Sequence, residues 1–289
     1  MQSVEPPLNQ PAIEERFLDL DGSRMRYLHA GAGPPVVLVH GLMGYSFSWR
    51  NTIPALAEQS EVFAIDALGT GYSDRPPALD CSLKACGQRL LRFMDAVGGG
   101  PFDVLGTSHG GAVAMMAAAL LPERVRRLIL VAPVNPWAPR GRTLAPFLSH
   151  PLVAPLFVQL ASRSHSLRRY YFRRLWGDPR RIPPGTFEGY MKPLERAGAW
   201  NYGLSVLQRW NADLQELELA LPRIANIPTL LIWGSRDKAV APASCERLKQ
   251  NFRQCRLVMM DSVGHLPYEE APDEFNRVVR EFLLSHDGF

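Results

Sequence analysis

The sequence predicts an α/β fold, a mostly parallel open sheet with helices on both faces and one helical insertion. Three observations carry this. Short runs rich in Val, Ile, Leu and Phe recur along the chain and are apolar on both faces, as strands inside a parallel sheet are. Helix-length stretches separate them, which is the βαβ alternation of a sheet covered on two sides. One stretch of 93 residues, 134–226, breaks the alternation and holds no strand-like run.

Residues 17–20 and 25–28 flank Asp21-Gly22-Ser23 and read as strand, turn, strand. Residues 35–40 (PVVLVH) form the first continuous β-branched run, and 61–66, 102–106 and 125–132 repeat it. Between them, 47–57, 83–97 and 108–121 have helical length and patterning. Past the insertion, strands at 229–233 and 256–260 alternate with helices at 242–252 and 272–284. The organisation predicted is a tail (1–16), a core (17–133 and 227–284) and a helical lid (134–226). There is no internal repeat and no low-complexity segment.

The lid has its own composition. Pro136, Pro139, Pro146, Pro151 and Pro155 crowd its start, and it holds 12 of the chain's 27 aromatic residues, including Trp137, Trp176, Trp200 and Trp210. Its 13 Lys+Arg against 6 Asp+Glu make it +7, which leaves −3 for the remainder of a +4 chain. Seven of those cations (Arg163, Arg168, Arg169, Arg173, Arg174, Arg180 and Arg181) lie within 19 residues. They cover more than one helical face. That suits a solvated surface, or else attraction of an anionic substrate or an acidic membrane.

At 289 residues and 46% hydrophobic content, the chain can bury a full core, since folding at this size hides roughly 75% of the unfolded surface. Disorder and coiled coil are excluded by composition. The overall charge of +4 is too small to imply a nucleic-acid partner, although a pI of 9.0 leaves room for local basic patches. Cys81, Cys86, Cys245 and Cys255 match no zinc spacing and read as ordinary thiols. The N-terminal MQSVEPPLNQ does not read as a signal peptide. The longest small and apolar run, 110–121, is 12 residues, against the ~20 needed to span a bilayer. A soluble, cytoplasmic protein is the expectation, with no metal and no cofactor. The oligomeric state is not legible.

The sharpest motif is Gly106-Thr107-Ser108-His109-Gly110-Gly111, which follows a strand and opens an alanine-rich helix. That is the context of a nucleophile elbow, G-x-S-x-G. A hard turn would expose the Ser108 hydroxyl above the sheet, with a helix N-terminus adding positive potential where an oxyanion develops. The pentapeptide alone equally suits a serine N-cap. A serine nucleophile also needs a base, and the base needs an orienting acceptor. The strand at 229–233 ends in Gly234-Ser235-Arg236-Asp237, and that at 256–260 in Asp261-Ser262-Val263-Gly264-His265. Asp237 and His265 thus arise at the same rim as Ser108, in the order Ser, Asp, His.

These pieces resemble the α/β-hydrolase superfamily over nearly the whole chain, residues 17–284. The matching segments are His40-Gly41-Leu42, the 66–76 loop (DALGTGYSDRP), the elbow at Ser108, Asp237 and Gly264-His265. The resemblance implies the α/β-hydrolase fold with residues 134–226 as its cap. It implies Ser108 as nucleophile, His265 as base then acid, and Asp237 as orienting carboxylate. It also implies an oxyanion hole from the backbone N–H of Leu42 and His109. His40 resembles a structural histidine, Ser73 and Asp74 of the 66–76 loop resemble backbone anchors, and Asn135 stands where some relatives put the acid. Asp261 reads as local scaffolding, and Glu269 and Glu270 as the start of the connection to the last helix. His29, His150, His165 and His286 sit away from predicted strand ends and read as surface or packing residues.

Serine at 108 separates this chain from the haloalkane dehalogenases and epoxide hydrolases, relatives that carry an aspartate nucleophile. It suits acyl transfer on a small carboxylic ester or lactone under the lid. Carbon–carbon hydrolases of ring-fission products usually carry Trp after the catalytic His, where this chain has Leu266; perhydrolase relatives commonly carry Met after the nucleophile, where it has His109. Carbon–carbon hydrolysis, cofactor-free oxygen chemistry on the same residues and a non-catalytic ligand-binding protein are the alternatives.

Overall fold

The computed structural model describes residues 11–285. Eight strands form one sheet in the order β1-β2-β4-β3-β5-β6-β7-β8. They are β1 (Glu14–Leu20), β2 (Ser23–Ala30), β3 (Pro35–Val39), β4 (Glu61–Ile65), β5 (Phe102–Thr107), β6 (Val125–Val131), β7 (Thr229–Gly234) and β8 (Cys255–Met260). The β1–β2 and β2–β4 pairs are antiparallel and all others parallel. Asp21 and Gly22, at φ 56° and 77°, make the left-handed turn of the first hairpin.

The all-apolar strands divide their side chains between two cores. Val37, Val39, Val104, Leu128, Leu130, Leu231 and Trp233 face one side. Val36, Leu38, Leu105, Ile129, Val131, Leu230 and Ile232 face the other. The first side is covered by α2 (Leu83–Val97) and α3 (His109–Leu120), the second by α1 (Ile53–Ala57) and α11 (Pro272–Leu284). The short apolar run noted in the sequence is α3, buried at every position up to Ala119. Ser82 caps α2 by accepting the Ala85 N–H at 3.2 Å.

Two expected helices are broken. Residues 47–57 become a 3-10 turn (Ser46–Trp49) and α1, because Pro54 has no N–H to donate and suits only a first helical turn. Residues 242–252 become a 3-10 turn (Pro242–Ser244) and α9 (Cys245–Lys249). Between β6 and β7 the chain forms α4 (Pro139–Ser149), α5 (Ala154–Arg163), α6 (His165–Arg174), α7 (Thr186–Met191) and α8 (Ala199–Ala220). Among the described residues no single helix is long and apolar enough to cross a membrane.

Candidate active site

Ser108 follows β5 directly and precedes α3 (His109–Leu120). Its N–H donates to Val131 O at 2.9 Å, and its backbone sits at φ 53°, ψ −122°. An L-residue in that region costs on the order of 1–3 kcal/mol, which the surrounding packing must supply. Gly106 and Gly110 make the turn feasible. A Cβ at Gly106 would overlap the Gly110 carbonyl, and one at Gly110 would overlap the carbonyls of Val39 and His40. The Ser108 side chain makes no capping bond to α3. The geometry is that of an elbow, and the capping explanation of this serine fails.

Asp237 and His265 lie on the loops after β7 and β8. Both are buried, 7% and 4% exposed. The Asp237 carboxylate is held on one oxygen by the N–H groups of Ala239 at 2.7 Å and Val240 at 3.0 Å, and its other oxygen lies 2.7 Å from His265 Nδ1. A carboxylate only accepts, so in the neutral imidazole the proton sits on Nδ1 and Nε2 keeps its lone pair. The His265 N–H donates to Leu175 O at 2.6 Å, so the loop is anchored on the inserted segment. Three residues on, Tyr268 lies beside Thr107, the residue before Ser108.

The β3–α1 connection also approaches the elbow. A Cβ at Gly41 would stand 3.2 Å from Ser108 Cβ and 3.8 Å from Ser108 Oγ. Leu42 follows, and Met43 at φ 61° turns the chain away. Among the described residues, neither the Leu42 nor the His109 N–H finds a protein acceptor. The His109 ring is buried with Nε2 unpartnered, and burial together with His40 pushes its pKa down to about 4. Tyr202 of α8 stands edge-on to it at 6.5 Å, and Met43 Sδ fills the space a side chain at Gly203 would need, so α8 roofs this corner.

The remaining candidates have structural partners. His40 donates from Nδ1 to Gly41 O at 2.8 Å and accepts at Nε2 from the Ala67 N–H at 3.2 Å; burial lowers its pKa. Ser73 and Asp74 accept the N–H groups of Arg26 and Arg24. Asn135 is fully used by Pro133, Ser244 and Trp137. Asp261 bonds Ser235 and Ser262, away from His265. His29 pairs with Glu61, His150 accepts from Leu152 N–H and His165 packs on Phe187; His286 lies outside the described residues. The four cysteines are unpaired, and burial pushes Cys81 and Cys255 up to about 12. No cluster able to hold a metal occurs among the described residues.

Glu269 and Glu270 are more than the start of a connection. They close the helix α10 (Pro267–Glu270), and both are buried. Glu270 accepts the N–H groups of Gly177 at 2.8 Å, Asp178 at 2.8 Å and Gly264 at 2.9 Å. Glu269 holds Arg50 and, at 2.6 Å, the Tyr190 hydroxyl; burial raises its pKa against the pull of Arg50. Together they tie the His265 loop to the inserted helices. The aromatic residues of the insertion divide in a way composition does not reveal. Phe172, Trp176, Phe187 and Tyr190 pack into a core, while Phe147, Tyr170 and Tyr171 face outward.

Comparison with known proteins extends the geometry. A haloalkane dehalogenase of Mycobacterium tuberculosis is 28% identical over 277 residues, covering 93% of this chain and 94% of its own. A lipase of Psychrobacter immobilis is 28% identical over 276 residues, covering 92% and 83%. A meta-cleavage product hydrolase from Pseudomonas fluorescens superposes with a TM-score of 0.78 at 25% identity, covering 93% of this chain and 97% of that one. The family described as alpha/beta hydrolase fold matches residues 34–272. With the eight-stranded sheet and this match over most of its length, the chain belongs to the alpha/beta hydrolase fold family.

Proposed function

We propose that this hydrolase-family chain is a serine hydrolase of small carboxylic esters or lactones, acting through an acyl-enzyme on Ser108 beneath a cap formed by residues 134–226. Two observations support the reading: the buried Asp237–His265 pair at 2.7 Å, and a serine held at φ 53° after β5 with its side chain uncommitted. In this mechanism His265 Nε2 takes the Ser108 proton as Oγ attacks the ester carbonyl. Asp237 accepts the Nδ1 proton and stabilises the imidazolium that forms. The N–H groups of Leu42 and His109 receive the developing oxyanion, the largest electrostatic contribution in such sites. His265 returns the proton to the leaving alcohol, and water cleaves the acyl-enzyme by the same steps.

Likeness to a haloalkane dehalogenase does not carry dehalogenation here. A serine that displaced halide would end as an alkyl ether, with no carbonyl for water to attack. Ser108→Ala is expected to fold and to lose several powers of ten in kcat on p-nitrophenyl acyl esters. Undiminished turnover would refute the assignment. A panel across acyl chain lengths, with a lactone and a ring-fission product included, separates ester from carbon–carbon hydrolysis.

A further inference from the structure

Thirteen large apolar side chains are exposed among the described residues, and seven of them lie in one stretch of 28 residues, 144–171. The two helices that begin this stretch are inside out. In α4, Ala145 is buried while Leu144 and Phe147 are exposed. In α5, Ala154 and Ala161 are buried while Leu156 and Leu160 face out. Leu152, between them, is 86% exposed. A helix on a water-facing surface turns its leucines inward, so this face is shaped for something other than water.

The charge is as one-sided as the apolarity. From 139 to 177 there are seven arginines and no Asp or Glu. Arg142 faces Glu218 at 3.8 Å and Arg169 faces Glu188 at 3.9 Å. Arg163, Arg168, Arg173 and Arg174 have no carboxylate in ion-pair range among the described residues. α6, which carries three of these four, packs against α5. We propose that the α4–α6 face of the insertion docks on an anionic lipid surface, with leucines entering the acyl boundary and arginines meeting lipid phosphates.

The helix geometry favours lying on a bilayer over crossing it. Residues 141–149 and 154–163 are together apolar enough for a broken span, but they meet at 98° and their alanines are buried against the protein. A second copy is a poor occupant, because a two-fold contact would set this all-positive face against itself. The inference stands apart from the ester reading, since it concerns binding alone.

The test is cosedimentation with vesicles of phosphatidylcholine, with and without a phosphatidylglycerol fraction. The protein should sediment with the anionic vesicles only, and raised salt should release it. The pair Leu152→Ser and Leu156→Ser should abolish binding. The pair Arg173→Gln and Arg174→Gln should weaken it about fivefold per arginine. Circular dichroism and the thermal midpoint, unchanged in both variants, show that the fold is retained. Failure to bind anionic vesicles overturns the proposal, as does equal binding to neutral ones or binding that survives both variants. So does a dimer by analytical ultracentrifugation that the leucine variant disperses, because a second copy would then cover the face.

Discussion

Asp237→Asn is the sharpest probe of the site, because the structure dictates how the amide must sit. One Asp237 oxygen is held by two backbone N–H donors, at 2.7 and 3.0 Å. An amide nitrogen there would face donor against donor, so the asparagine oxygen takes that position. Its NH2 then points at His265 Nδ1, where the carboxylate oxygen had stood at 2.7 Å. Nδ1 must become an acceptor, which moves the imidazole proton to Nε2 and removes the lone pair that would deprotonate Ser108. The side chain is isosteric and the fold is retained, yet the base is in the wrong tautomer. An error of this kind costs about 10⁴ in kcat. The assay is hydrolysis of a p-nitrophenyl ester at neutral pH, with circular dichroism as the fold control. A folded Asp237→Asn variant within tenfold of the parent kcat would refute the role given to the Asp237–His265 pair.

Two further substitutions test the scaffold. Glu270→Gln turns one of two accepting oxygens into a donor, and either amide orientation leaves a backbone N–H of Gly177, Asp178 or Gly264 facing it. The expected loss is about 1–3 kcal/mol, read as a lowered urea midpoint at constant slope; an unmoved midpoint contradicts it. Asp213 on α8 is buried, with Oδ1 unbonded and Arg209 Nε 3.5 Å away, and burial raises its pKa to about 6. The unfolded chain loses this proton near pH 3.9, so the folded state is penalised as pH rises from about 4 to 6 and remains so above. Asp213→Asn should therefore stabilise the protein by on the order of 1–3 kcal/mol at pH 7, with the two proteins converging below pH 4. Parallel stability profiles across that range would disprove the account.

The middle of the sheet was legible because strands β3 to β7 are largely buried on both faces and leave apolar runs, and because turn or helix signals follow them. The helices α2 and α11 were legible to the residue, since Ser82 and Pro272 mark their starts. The 47–57 stretch is shorter as a helix than its apolar spacing suggests because Pro54 lies inside it, whereas Pro242 stands at the start of 242–252 and does not account for the division there. Asp237 and His265 could be nominated together because β7 and β8 are neighbours, so residues just past their ends share a rim. Glu270 could not. Two of its three partners are backbone N–H groups 92 and 93 residues away, and nothing in a Glu-Glu pair announces burial. The inside-out helices of the insertion are not legible in the sequence for a related reason, since periodicity reveals that a face exists without saying which way it points.

The bond from His265 N–H to Leu175 O, with the Glu270 clasp on Gly177 and Asp178, gives the imidazole two landlords. Half of its seat is cut from the sheet and half from the inserted helices. Grafting a foreign roof onto this sheet to change substrate range would evict the histidine unless residues 175–178 came along. Exchangeable territory therefore begins on either side of that short stretch, and library designs should treat it as part of the foundation.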